Sequence, residues 1–203
     1  YASAIDFLNI TKPAAPAVDD VFYVWDPLLY GSWGYGAFQT ISAANGWKPN
    51  PGGTANYSSA SAYTTIQSGQ AFMVHSTSGG GNITFTEAAK LSGSQLLFRQ
   101  PAALQHSLAD RQFLRATLYA MINGQPSLAD GAVLAIDNEF TNDYTADDAA
   151  KLENGGENFG ISRHGMRLSL EAHALLNDKD TIFYSFRNMK KTQYQLKFAP
   201  ENM

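Results

Sequence analysis

The sequence predicts an all-β protein, an antiparallel β-sandwich of jelly-roll type with one or two short helices. Three observations carry this expectation. Roughly ten short runs are rich in Val, Ile, Thr, Tyr and Phe or alternate apolar with polar residues, the period of a strand with one buried face. Clusters of Gly, Asn, Pro and Ser separate them, and Asn123-Gly124 is a hairpin signal between two such runs. Helical patterning is confined to residues 87–91 and 145–152.

In the first half, residues 1–11 form an entry segment whose Ile5, Phe7, Leu8 and Ile10 dock on a core. Residues 12–20 (KPAAPAVDD) read as an extended Pro/Ala loop. Residues 21–38 (VFYVWDPLLYGSWGYGAF) have the most unusual local composition in the chain. They open as a strand with Val21, Tyr23 and Trp25 on one side and Phe22 and Val24 on the other. Asp26-Pro27 stops that strand, because proline donates no hydrogen bond and biases the preceding residue away from helix. Aromatic residues then interleave with Gly31, Gly34 and Gly36, a pattern that suits either a core plug or a ligand platform. Residues 43–62 read as a long polar loop. Residues 62–67 and 71–75, flanking Ser68-Gly69, read as paired strands or one bulged strand, and residues 82–86 and 95–99 as further strands.

A second half starts near Arg111, giving an expected division into residues 1–110 and 111–203. The two are packed as one domain or as two closely associated sandwiches. Residues 113–122 are apolar on both faces, as in an interior strand. Residues 132–136, 159–162, 167–172, 181–186 and 193–198 complete the strand set. Between them, residues 145–152 (TADDAAKL) read as a short helix with Thr145 as cap and Asp148 three residues on.

Composition narrows the function classes. A chain of 203 residues buries roughly 70% of its unfolded surface and needs no staples. It contains no cysteine, so disulfides and thiolate metal sites are excluded. The charged fraction is 16%, against a usual ~25%, and hydroxyl, amide and aromatic side chains take up the difference. Such surfaces are common in secreted and cell-surface β proteins. The net charge of −4 and the lack of a basic run beyond Lys190-Lys191 argue against a nucleic-acid partner. No apolar run is long enough to span a bilayer as a helix. The start at Tyr1 and the end just after a strand-like run lead us to expect a fragment of a longer polypeptide.

Several phrases taken in order, YASAIDF, FYVWDP, IQSGQAFMV, ITFTEAAK, AVLAIDNEFTNDYTADDAAKL, GISRHGMRLSLEA and DTIFYSF…YQLKF, resemble a region of large secreted and surface proteins of Bacteroidetes. In those proteins the region lies near the C-terminus, close to the tail signal read by the type IX secretion system. The resemblance implies a multi-domain exported parent, a β-sandwich fold and no enzymatic activity. It transfers no catalytic residue, and the terminal strands and basic tail that carry the sorting signal are not in this sequence.

Two constellations are candidates for binding. Trp33, Tyr35, Trp47 and Tyr57 are candidates for a platform on which sugar rings stack, with neighbouring amides for the hydroxyls. Core packing is the plainer account of the same rings. Asp137, Glu139, Asp143 and Asp147 are candidate Ca²⁺ ligands. Their spacing departs from an EF-hand loop, since Asn142 stands where glycine is expected and Asp148 where glutamate is. The plainer account here is a turn leading into a helix. No other cofactor is expected. His75, His106, His164 and His173 match no zinc pattern, and alternation puts His75 and His173 at surface positions. No nucleophile elbow or phosphate loop is present. The sequence therefore reads as a non-catalytic extracellular module, a structural, spacer or docking unit whose partners are other domains of its parent. A carbohydrate-binding module that takes polysaccharide is the first alternative, and a hydrolase domain with no recognisable motif is the second.

Overall fold

The computed structural model describes residues 3–13, 18–52, 63–76, 80–92, 111–190 and 193–203. The described chain is all-β, and its helical content is three-residue 3-10 turns at Phe7–Asn9, Ala43–Asn45 and Glu87–Ala89. No described helix is long and apolar enough to cross a membrane.

Three sheets build the sandwich. The first places β1 (Ala4–Asp6) between β4 (Thr65–Ile66) and β6 (Lys90–Leu91). The second places β2 (Val18–Asp26) between β3 (Ala37–Ser42) and β5 (Phe72–Ser76). The third is larger and comprises β7 (Gln112–Ile122), β8 (Gln125–Ile136), β9 (Ala149–Ala150), β10 (Asn158–Arg163), β11 (Met166–His173), β12 (Tyr184–Arg187) and β13 (Tyr194–Glu201). Its order is β12-β10-β11-β8-β7-β13, with β9 paired to β11, and it curls into a half-barrel. Two of its hairpins turn through Asn123-Gly124 and His164-Gly165, with φ positive at both residues of each pair, as type I′ turns require.

β2 explains the layering. Its alternation sends Phe22 and Val24 into a core with Ile5, Phe7, Ile41 and Ile66. Val21 and Tyr23 enter another core with Phe113, Val133, Ala135 and Leu170 of the large sheet. A strand buried on both faces has no polar phase, and burying each Phe- or Val-sized side chain contributes about 1.5–3 kcal/mol. The third core fills the concave side of the half-barrel with Leu118, Leu134, Ile136, Phe159, Ile161 and Leu168.

Polar side chains fasten these layers together. Tyr23 Oη donates to the Ala150 carbonyl at 2.9 Å, and Thr40 Oγ1 to Ser169 Oγ at 3.0 Å. Asn50 Nδ2 donates to the Gly131 carbonyl at 3.1 Å and the Ser169 carbonyl at 2.9 Å, joining the second sheet's border to two strands of the third. Buried amides satisfied in this way stabilise an interface, whereas the same groups left unpaired cost about 1–3 kcal/mol each.

Several expectations are corrected in detail. One neighbouring pair is parallel, β8 with β11, with Leu170 opposite Val133, so the large sheet is mixed. The segments at 62–67 and 71–75 do not pair with each other, because β4 joins β1 while β5 joins β2. Among the described residues, residues 82–86 make a single bridge, Thr84 to Thr11. The strand expected at 132–136 starts seven residues earlier, at Gln125. The helix expected at 145–152 is a single turn. Its capping bonds form, with Thr145 N–H donating to Asp148 Oδ2 at 2.8 Å. Ala149 is then taken into the second-to-third-sheet core and pairs with β11, which outweighs the weak propensity of a one-turn helix. His173 is buried within β11 rather than on the surface. The strand expected at 95–99, His106 and Tyr57 lie outside the described residues.

Candidate functional site

The aromatic loop after β2 forms by capture on a glycine turn. Asp26 ends the strand, with Oδ1 accepting from Leu28 N–H at 2.9 Å and Oδ2 from the Gln39 amide at 3.1 Å. Leu29 inserts into the interior, and Gly34 N–H closes a turn onto the Tyr30 carbonyl at 2.8 Å. The loop then lies across the Gly155-Gly156 turn. A Cβ on Gly156 would sit 2.8 Å from Trp33 Cδ1, and one on Gly155 3.3 Å from Tyr35 Cδ2. A side chain at Gly156 would collide with Trp33, and one at Gly155 would crowd Tyr35. The turn is held from below by Asn158, whose amide donates to the Asn154 and Gly156 carbonyls at 3.0 and 2.9 Å. Asn154 Oδ1 accepts from Phe38 N–H at 2.9 Å and ties the turn to β3.

The buried Glu157 carboxylate anchors both sides of this site. Oε2 accepts from Ser32 N–H at 3.3 Å and Oε1 from Tyr194 Oη at 2.9 Å. Burial, and then the bond to Glu157, push the Tyr194 hydroxyl above its ordinary pKa. Lys190 Nζ sits 5.7 Å from the centroid of Trp33. Trp33 and Tyr35 lie with centroids 6.0 Å apart and planes at 36°, and Tyr35 is 60% exposed.

The four-ring platform is thus corrected. Trp47 is not on this surface. It packs in the first-to-second-sheet core, 5.9 Å from Phe7 and 6.4 Å from Phe22. Of the four rings, Trp33 and Tyr35 are brought together. Trp25, the remaining tryptophan, rests edge-on against Phe38 and covers Gly36.

The proposed Ca²⁺ set is corrected as well. Asp137 accepts from Arg111 Nε at 2.9 Å and from Glu139 N–H at 3.0 Å. These contacts, the backbone one foremost and against the push of burial, hold its carboxyl below the usual range. Glu139 points to solvent, Asp143 lines a separate depression, and Asp147 stays beside Thr145. Among the described residues, no three carboxylate or imidazole side chains converge as a metal site would need.

Sequence reasoning missed two charged clusters. In one, Asp130 is fully buried and pairs with Lys151, while its oxygens accept from Gly131 N–H and Phe159 N–H, both at 2.8 Å. Burial pushes this carboxyl up against the pull of Lys151. The signal was a lone carboxylate inside an apolar strand run, SLADGAVLAI. The other lines a shallow depression beside the β10–β11 turn. There Asp148 accepts from Thr145 N–H and from Ala172 N–H at 3.0 Å. Buried Glu171 pairs with Arg163, Nη1 lying 2.6 Å from Oε1 in a poorly aligned contact, and among the described residues no well-aligned donor reaches its other oxygen. Burial raises both carboxyls above their ordinary range. No family model, curated protein sequence or solved structure matches the chain.

Proposed function

We propose that this chain is a non-catalytic β-sandwich module, a structural, spacer or docking unit of a larger secreted or cell-surface bacterial protein. Other domains of that parent are its partners. The observation that carries this reading is the use made of buried polar side chains. Asn50, Asp130, Asp148 and Asn154 each bond a backbone group on another element. They work as fasteners between strands and turns. The low charge density and the resemblance to exported surface proteins support the same reading.

The Trp33–Tyr35 pair favours a second reading, a carbohydrate-binding module. Its rings are neighbours on a pre-formed turn, one of them largely exposed, with the Lys190 ammonium beside them. Sugar C–H faces pack on such rings. A polysaccharide pull-down and glycan array on the purified chain, beside a Trp33→Ala/Tyr35→Ala variant, separates the two. The structural reading expects no retention by any glycan and no turnover of chromogenic glycosides or esters. Retention that disappears in a still-folded variant makes the carbohydrate reading the function, and turnover by the wild-type chain sinks both.

A further inference from the structure

Among the described residues, β12 and β13 stand at the two margins of the large sheet, which curls into a half-barrel. Tyr184 on one and Phe198 on the other meet across the opening with ring centroids 5.7 Å apart. The two margins are not hydrogen-bonded neighbours. Rings of this size reach across the roughly 10 Å that one additional strand occupies between two others.

Three features describe what fits there. The first is strand direction. β13 is antiparallel to β7, and β7 to β8; β8 is parallel to β11; β11 is antiparallel to β10, and β10 to β12. β12 and β13 therefore run the same way, and one strand in the opening is antiparallel to both at once. The second is the exposure of rings on the concave side. Phe186 contacts core residue Phe159 at 5.0 Å, and Phe198 is opposite core residue Ala116, yet each is 47% exposed. The third is charge. Arg187 on β12 and Lys197 on β13 are exposed, and no ion pair engages them among the described residues.

We propose that this seam accepts one extended strand of another polypeptide, apolar at alternate positions and flanked by carboxylates. Main-chain hydrogen bonds to both margins supply affinity, the alternate apolar side chains cover Phe186 and Phe198, and the carboxylates meet Arg187 and Lys197. Basic side chains on sheet margins also guard against indiscriminate pairing, so the test must distinguish a receptor from a guarded edge.

The full chain is extended after Met203 by an Asn-Gly turn and the strand Glu-Val-Thr-Val-Thr-Val-Thr-Glu. A control extension carries proline at the second and third valines. The free strand peptide is added separately to the unextended chain. We expect the extension to raise Tm by about 5 °C or more. Amide exchange should slow at least about tenfold on both β12 and β13, the proline control should do neither, and the free peptide should protect the same amides. Protection of β13 alone describes an ordinary hairpin on a single edge and overturns the proposal, as does an unchanged Tm. A concentration-dependent dimer of the unextended chain with both margins protected assigns the seam to a second copy and overturns the stated occupant.

Discussion

Two places where parts of the sheets meet are finished differently. At the border between the β2–β3–β5 sheet and the large sheet, each approach is closed by a named bond. Asn50 reaches two strands, Tyr23 meets the Ala150 carbonyl, and Thr40 meets Ser169. At the β12–β13 opening, ring contact occurs without backbone pairing. The same contrast appears between the two buried carboxylates. Asp130 has a cation and two N–H donors, whereas Glu171 has a badly aimed cation. Burial alone therefore does not identify which polar groups stabilise the molecule; completeness of their partners does.

The largest expected effect breaks the completed cluster. Asp130→Ala strands Lys151, whose side chain is 3% exposed, and leaves two N–H groups unpaired. We expect a loss of about 3–5 kcal/mol in urea unfolding. Asn50→Ala should cost less, about 1–3 kcal/mol, because it removes two bonds from neutral carbonyls. Gly156→Ala should cost a similar ~1–3 kcal/mol by lifting Trp33 at its root, with a matching change in tryptophan emission. Gly155→Ala, with more room, should cost less than Gly156→Ala in the same assay.

The smallest effect tests the unfinished cluster. Glu171→Gln should change stability at neutral pH by less than about 1 kcal/mol, since it removes a buried charge as well as a poor contact. Its signature lies in the pH profile. Burial holds the folded Glu171 carboxyl above its ordinary 4.5, against the pull of Arg163 and His173. A carboxyl raised on folding contributes stability that is complete below its unfolded pKa and lost as pH rises through the folded one. Wild-type urea midpoints should therefore carry a rising component on acidification from neutral pH towards 4.5, and this component should shrink in the Gln variant. A loss of several kcal/mol at neutral pH would instead show Glu171 to be as well partnered as Asp130.

The parts of this fold legible in the sequence are those governed by local rules. Alternation through residues 21–24 assigned the correct face to each side chain, because a twofold period leaves no other arrangement once both faces are buried. Asn123-Gly124 marked its hairpin through the positive φ that such a turn demands. Pairings between distant segments were not legible. Nothing local tells β5 to choose β2 over β4, and nothing in residues 145–152 announces that β11 will capture Ala149. At the candidate site, the aromatic and glycine pattern singled out the loop on which Trp33 and Tyr35 lie together. It did not reveal that Gly155-Gly156, more than a hundred residues later, is the surface that loop needs. Trp47 misled for the same reason: proximity in sequence to Trp33 placed it on a platform, while Phe7 and Phe22 claimed it for the core.

The double burial of β2 has a mechanical consequence. A strand that contributes side chains to two cores cannot leave one without emptying the other, so a pull on either outer layer is transmitted through it to the opposite face. Unfolding is then expected as one cooperative event with a shared yield point, rather than as successive peeling of layers. In a spacer of the kind proposed above, that response would keep the length constant under load until the unit fails as a whole.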